Sequence, residues 1–373
     1  MTAEQKQTDE SGTDSHLFRR RLARPVAVAA VLALVVGGGL TALGAGPAGL
    51  LAAPEEPETA VTGVSGNVTV KYDTASGVTE EFVTRPVDPE LTGAGWAFVD
   101  RSALPPALTN ASGDPDAGVV PVGEMALVGS VEAVTRPVGN ATITVVVPSG
   151  VDVDPGRKSQ FISEFISPYA LGPDGADVTL VAVPDGLPHR GAMYGNGTGY
   201  VTESAFWDGT VGSVWMHEFV HGRQSFSLSG EMEWFREASA EYLSYRMLQE
   251  QYGNVTNDDL LERLAAEPTY PESVLASEST WAGGNVPYTR GVRLLYRIDA
   301  AIRAETDGER TLVDVFRQIN ERDERLTLAA FARTVGAYTG DEGGWIRSAV
   351  TEPGPIDGYL DIDERVFENG KRS

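Results

Sequence analysis

Trp215-Met216-His217-Glu218-Phe219-Val220-His221, followed by Trp234-Phe235-Arg236-Glu237-Ala238-Ser239-Ala240-Glu241-Tyr242, is the stretch on which the reading of this 373-residue chain turns. On an α-helix, residues four apart lie on one face a turn apart, so His217 and His221 can aim two imidazole nitrogens at a single ion. Glu218 then stands next to the water such an ion would hold, as in the H-E-x-x-H arrangement of two ligands and a general base. Val211, Val214, Trp215 and Phe219 recur at nearly helical spacing around this stretch, the last three between glycines 212 and 222, and no proline interrupts it.

A tetrahedral zinc site with a catalytic role takes three protein ligands and keeps the fourth position for water. Glu237 is the expected third ligand, on a second helix over about 231–251. Glu241 falls one turn further along, where its carboxylate can hold the free nitrogen of a ligating histidine and fix its tautomer. Two acids at this spacing repel on an ordinary helix, and a cation between them removes that cost. The chain has four histidines, and one of them, His16, is in the N-terminal tail. One Zn2+ ion is the cofactor these residues predict.

With these residues in view, the sequence resembles the gluzincin metallopeptidases, in the branch that holds aminopeptidase N, leukotriene hydrolase and glycyl aminopeptidases. Pro287-Tyr288-Thr289-Arg290-Gly291 is similar to that branch's P-Y-x-K-G segment. The resemblance implies that Tyr288 stabilises the tetrahedral intermediate and is catalytic together with Glu218. Gly191, Ala192 and Met193 resemble the start of its G-A-M-E-N strand, which implies that they bind substrate backbone; the strand-like Val178–Val183 precedes them as in the family. The likeness covers roughly 177–312. Two departures stand out: the spacing from His221 to Glu237 is shorter than the family's, and Tyr194 occupies the position of the family's glutamate for a substrate's free amino terminus. Amino- versus endopeptidase action is therefore left open, with Glu203 a substitute acid to test, and His189 reads as a loop residue.

Around this centre the chain begins with a polar tail, 1–24, ending in Arg19-Arg20-Arg21 and Arg24. Residues 25–53 carry no charge, more than the roughly 20 residues that span a bilayer, so they read as a transmembrane signal-anchor. The arginines before it and Glu55, Glu56 and Glu58 after it put the tail in the cytoplasm and the rest outside. Cleavage near Leu51-Ala52-Ala53 would make the protein secreted. Five of the nine asparagines, Asn67, Asn110, Asn140, Asn196 and Asn254, open N-x-S/T sequons, which suits an external glycoprotein. The absence of cysteine excludes disulfides, thiol catalysis and cysteine-bound metal.

The chain carries 53 acidic against 29 basic side chains, a formal net charge of −24, with lysine only at Lys6, Lys71, Lys158 and Lys371. The acids are scattered along the sequence, which disfavours nucleic acid as a partner. Salt at about 1 M cuts the Debye length to about 3 Å and removes most of this self-repulsion, so the composition reads as halophilic.

Residues 54–150 read as a β-rich region, with strands at 68–72, 81–84 and 141–147 between Pro- and Gly-rich breaks. Residues 151–373 read as the metallopeptidase domain: a helix over 161–169, strands at 178–183 and 197–206, then helices over 291–305, 312–320 and 326–335 with Thr311 and Thr327 at their starts. The expected class is α+β: a thermolysin-like catalytic domain, small sheet plus mainly helical lobe, preceded by the β-rich region and one membrane helix. Its expected partners are a peptide or protein substrate and the membrane; the sequence is silent on oligomeric state. A zinc hydrolase of a non-peptide small substrate, and a non-catalytic acidic surface glycoprotein with a structural zinc, are the competing readings.

Overall fold

The computed structural model describes residues 59–368, apart from 65, 75, 112, 114, 174, 188, 196, 206–210, 252–254 and 357. The expected tail and anchor, 1–53, lie outside these residues, as do Asn196 and Asn254 of the sequons. Among the described residues no helix is long and apolar enough to cross a membrane.

Three sheets and a helical lobe form successive layers. β1 (Ala60–Val64), β2 (Asn67–Asp73) and β3 (Thr79–Thr84) make an antiparallel meander. β4 (Thr92–Gly93) and β5 (Trp96–Asp100) precede a short helix α1 (Pro106–Ala111); β6 (Val119–Val122) and β7 (Met125–Gly129) complete a four-stranded sheet in the order β4-β5-β7-β6. Alternation in these strands turns Val68, Val70 and Tyr72 onto Ala97, Val99, Ala126 and Val128. Trp96, Phe98, Val120, Val122 and Leu127 point the other way, onto the third sheet.

That third sheet carries the site. β8 (Val131–Val138) and β9 (Ala141–Pro148) form a hairpin, helix α2 (Pro155–Ile166) follows, and β10 (Val178–Val183), β11 (Gly191–Met193) and β12 (Thr198–Thr202) finish the order β11-β12-β10-β9-β8. β9, β10 and β12 run parallel, and the flanking pairs are antiparallel. β10 is apolar except for Thr179 because both its faces are covered. Val178, Leu180 and Ala182 join the helical core, while Val181 and Val183 meet the four-stranded sheet. The sheet thus spans the division expected at residue 150, with β8 and β9 drawn from the β-rich region.

Helices α3 (Val214–Gly222), α4 (Trp234–Gln251), α5 (Asn257–Ala266), α6 (Val292–Glu305), α7 (Leu312–Asn320), α8 (Leu328–Thr339), α9 (Gly344–Thr351) and α10 (Arg365–Glu368) build the lobe below it. α2 starts six residues earlier than expected because Asp154 caps it, accepting the Arg157 N–H at 2.9 Å, with Pro155 in the first turn. α8 starts two residues later than expected: Leu326 is tied to the loop after α3, donating to Ser227 O at 2.8 Å and accepting from Ser229 N–H at 2.9 Å. Thr327 then caps the helix.

Candidate active site

Ser213 caps α3, its hydroxyl accepting the Met216 N–H at 3.4 Å, and the helix buries Trp215, Met216, Phe219 and Val220 against the sheet. Its opposite face is left to His217, Glu218 and His221. α4 is buried around most of its girth, from Trp234 and Phe235 to Tyr245 and Leu248, and its Trp234 and Phe235 rings pack on Phe331. That burial fixes the helix axis, and Glu237 and Glu241 project from successive turns towards α3.

The three expected ligands meet. His217 Nε2 and His221 Nε2 are 2.9 Å apart, Glu237 Oε2 is 3.1 Å from His221 Nε2, and it is 3.4 Å from His217 Nε2. The other ring nitrogens are committed. Gln224 donates its amide N–H groups to Arg236 O at 2.8 Å and Ser239 Oγ at 3.0 Å, so its Oε1 must accept from His221 Nδ1 at 3.0 Å. Glu241 Oε2 accepts from His217 Nδ1 at 2.8 Å, and its other oxygen accepts from the Tyr245 hydroxyl. Both Nδ1 atoms are therefore engaged as donors, and the two Nε2 atoms and a carboxylate oxygen face one point.

Such a cluster demands positive charge at its centre. A proton meets the demand only by making one ring cationic. Burial works against an imidazolium at His217, yet hydrogen bonds to Glu237 and Glu241 outweigh it and lift the ring to about 10. A divalent ion serves all three donors at once. Zinc bonds of about 2.0–2.1 Å to a tetrahedral donor set separate the donors by about 3.3 Å, close to the triangle seen here. Among the described residues this is the group of histidines and acids placed to hold a metal ion.

Glu218 is buried, and its Oε2 has no hydrogen-bond partner in the protein. Burial raises its carboxyl above the ordinary range, against the opposing pull of the two histidines. It lies hard against β11: a Cβ on Gly191 would come within 2.6 Å of Glu218 Oε1, so only glycine fits there. Tyr288 comes from a π-turn over Pro287–Gly291 that packs on α4 closely enough that a Cβ on Gly291 would sit 2.7 Å from Ala238 Cβ. Its ring stacks on His217 at 5.7 Å, and its hydroxyl donates to Glu237 Oε2 at 2.6 Å. Burial and Glu237 together push the phenol well above its ordinary range, which keeps it a donor.

Gly191, Ala192 and Met193 form the edge strand of the sheet and line the same cavity of about 360 Å³ as His217, Glu218, His221, Glu237 and Tyr288. Thr202 N–H donates to Arg190 O at 2.8 Å and Tyr194 N–H donates to Thr198 O at 3.1 Å. Alternate residues of the strand are thereby bonded to β12, and the N–H and C=O of Gly191 and Met193 point to the open edge. Tyr194 also lines the cavity, with its ring against Gly123 in the turn between β6 and β7. The β-rich region thus reaches the site. His189 is an exposed bend residue on the cavity wall, whereas Glu203 is off it, accepting the Asp152 N–H at 3.3 Å.

Gln224 and Tyr245 were not among the expected site residues. Their spacing carried a signal: Gln224 lies three residues after His221, in the turn just past the end of α3, and Tyr245 lies four after Glu241, its neighbour on the face of α4.

No family model matches the chain, and no curated protein matches it in sequence. Among solved structures it is similar to an aminopeptidase N family protein from Idiomarina loihiensis, with a TM-score of 0.54 at 14% identity over 81% of this chain and 68% of that one. An M1 zinc metallopeptidase from Deinococcus radiodurans, solved with a Tyr-Ser-Ala substrate, aligns with a TM-score of 0.46 at 14% identity over 81% of this chain and 89% of that one. At such identity the first likeness speaks for the fold alone. The mixed α+β fold of this chain is accordingly one that it shares with the aminopeptidase N family protein.

Proposed function

We propose that this chain is a zinc-dependent metallopeptidase in which His217, His221 and Glu237 hold the ion and Glu218 is the general base. The observation that carries the reading is the convergence of two Nε2 atoms and a carboxylate oxygen beside a buried, unpartnered Glu218 oxygen. When bound, zinc polarises the scissile carbonyl and brings the pKa of water from about 15.7 towards 7. Glu218 takes a proton from the water whose oxygen bonds to the carbonyl carbon, then gives that proton to the amine nitrogen as the C–N bond breaks. The products are a carboxylic acid and an amine, which part as carboxylate and ammonium once the acid's proton has passed to the amine. Tyr288, kept protonated, donates to the developing oxyanion once it lets go of Glu237 Oε2. Gly191 and Met193 offer their outward N–H and C=O groups to an extended substrate, as in strand addition.

Glu218→Gln keeps the volume and the helix while removing the base. The variant is expected to bind zinc like the parent and to lose about 10²–10⁴ in kcat for peptide hydrolysis. Full activity in this variant, measured on a peptide mixture, would overturn the reading.

The proposal places the folded unit outside the cell, tethered by 25–53. Asn67 and Asn110 are exposed sequon residues, whereas the Asn140 amide accepts from Arg223 at 2.8 Å and donates to Gly172 O at 3.3 Å. Glycopeptide mapping should find sugar on the first two and an unmodified Asn140; a non-glycosylated chain facing the cytoplasm would contradict the placement.

A further inference from the structure

Two cavities meet at Glu218. The first, of about 360 Å³, extends past Met193 and Tyr194 to Arg236. The second, of about 350 Å³, extends past Ser213 and Val214 to Tyr245 and Arg263. His189, Gly191, His217, Glu218 and Tyr288 line both. Each is large enough for a small ligand by itself. The general base therefore stands midway along a cleft that continues past both ends of β11, and not at the blind end of a pocket.

A peptidase that counts from a free amino terminus needs an acidic group to receive the ammonium. Among the described residues the acids on the two walls are Glu218, Glu237 and Glu241. Glu237 accepts from Tyr288 and faces the imidazoles, Glu241 is held by His217 and Tyr245, and Glu218 has the proton transfer to perform. Tyr194 brings a phenol, and Glu203 lies on neither wall. The remaining charged groups on the walls are Arg236 on one side and Arg190 and Arg263 on the other. Glu233 lies 3.9 Å from Arg236 and Glu267 lies 3.2 Å from Arg263, so neither end presents an uncommitted carboxylate to an ammonium. The backbone groups of Gly191 and Met193, by contrast, bind an extended chain at any position along its length.

Building on the peptidase reading, we infer that the cleft takes a peptide strand running through it and that internal bonds are cut without recognition of a free amino terminus.

The test uses the zinc-loaded full chain and a matched pair of decapeptides, one with a free and one with an acetylated amino terminus. Cut positions are read by mass spectrometry. A carboxylate anchor for the ammonium would make acetylation cost on the order of 30-fold or more, whereas the through-cleft predicts a change in kcat/KM below about threefold. First cuts should fall at least two residues from either end. Binding of the same pair to Glu218→Gln, followed by fluorescence anisotropy, should likewise differ by less than about threefold. Loss of cleavage on acetylation, or a ladder of single residues from the amino end, overturns the inference and leaves the peptidase reading standing. Failure of the zinc-loaded chain to cut either peptide overturns both.

Discussion

The two walls of the cleft are built by opposite rules. On the helical wall, α3 and α4 present side chains whose polar atoms are held by other side chains: His217 by Glu241, Glu241 by Tyr245, His221 by Gln224, Glu237 by Tyr288. On the strand wall, β11 presents backbone, and the groups facing the cleft are directed away from their own sheet. One wall sets three donor atoms within 3.4 Å of one another; the other leaves a template to be completed by what binds. Changes on the helical wall should therefore appear in metal affinity and in kcat, and changes on the strand wall in KM with the metal untouched.

The largest effect is expected from Glu237→Ala, which removes a ligand and leaves the Tyr288 hydroxyl without its acceptor. Zinc affinity should fall by more than about 100-fold, beyond the usual cost of losing an outer partner, and peptide hydrolysis should vanish with it. A zinc titration that finds the parent's affinity would break the comparison at its root. Tyr288→Phe keeps all three ligands, so kcat should drop by about 10²–10³ with stoichiometric zinc retained. Glu241→Gln weakens the hold on His217 and should cost about 10–100-fold in zinc affinity.

The strand wall gives a smaller and different signature. Met193→Pro deletes an outward N–H without touching the β12 ladder, because that ladder uses the alternate residues. One hydrogen bond of about 0.5–1.5 kcal/mol corresponds to a rise of roughly three- to tenfold in KM, with zinc content unchanged. Loss of zinc in this variant would show that the two walls are coupled.

The helical wall was legible in the sequence because its groups recur at helical spacing within each helix. His217 and His221 are four apart, Glu237 and Glu241 are four apart, and helix geometry turns those spacings into facing groups. Tyr245 obeys the same rule on α4 and Gln224 sits in the turn just past α3, but a glutamine and a tyrosine carry no chemistry of their own that singles them out. The strand wall was legible as a short apolar segment, and only through a family resemblance. Its place at the sheet edge depends on the order β11-β12-β10-β9-β8, in which the β8–β9 hairpin joins across a helix and a loop to β10. The same holds for the layers before residue 130, where β5 pairs with β4 on one side but with β7, and not β6, on the other. No alternation within a strand announces its partner. Nor does the spacing reveal that the Tyr288 hydroxyl rests on Glu237, since the π-turn that aims it is set by packing on α4.

The most direct test is zinc-edge X-ray absorption on the full chain loaded with one equivalent of zinc. Two imidazole nitrogens at about 2.0–2.1 Å with oxygen donors completing a four-coordinate shell is the predicted result. A six-coordinate oxygen shell, or a spectrum with no imidazole scattering, would contradict it.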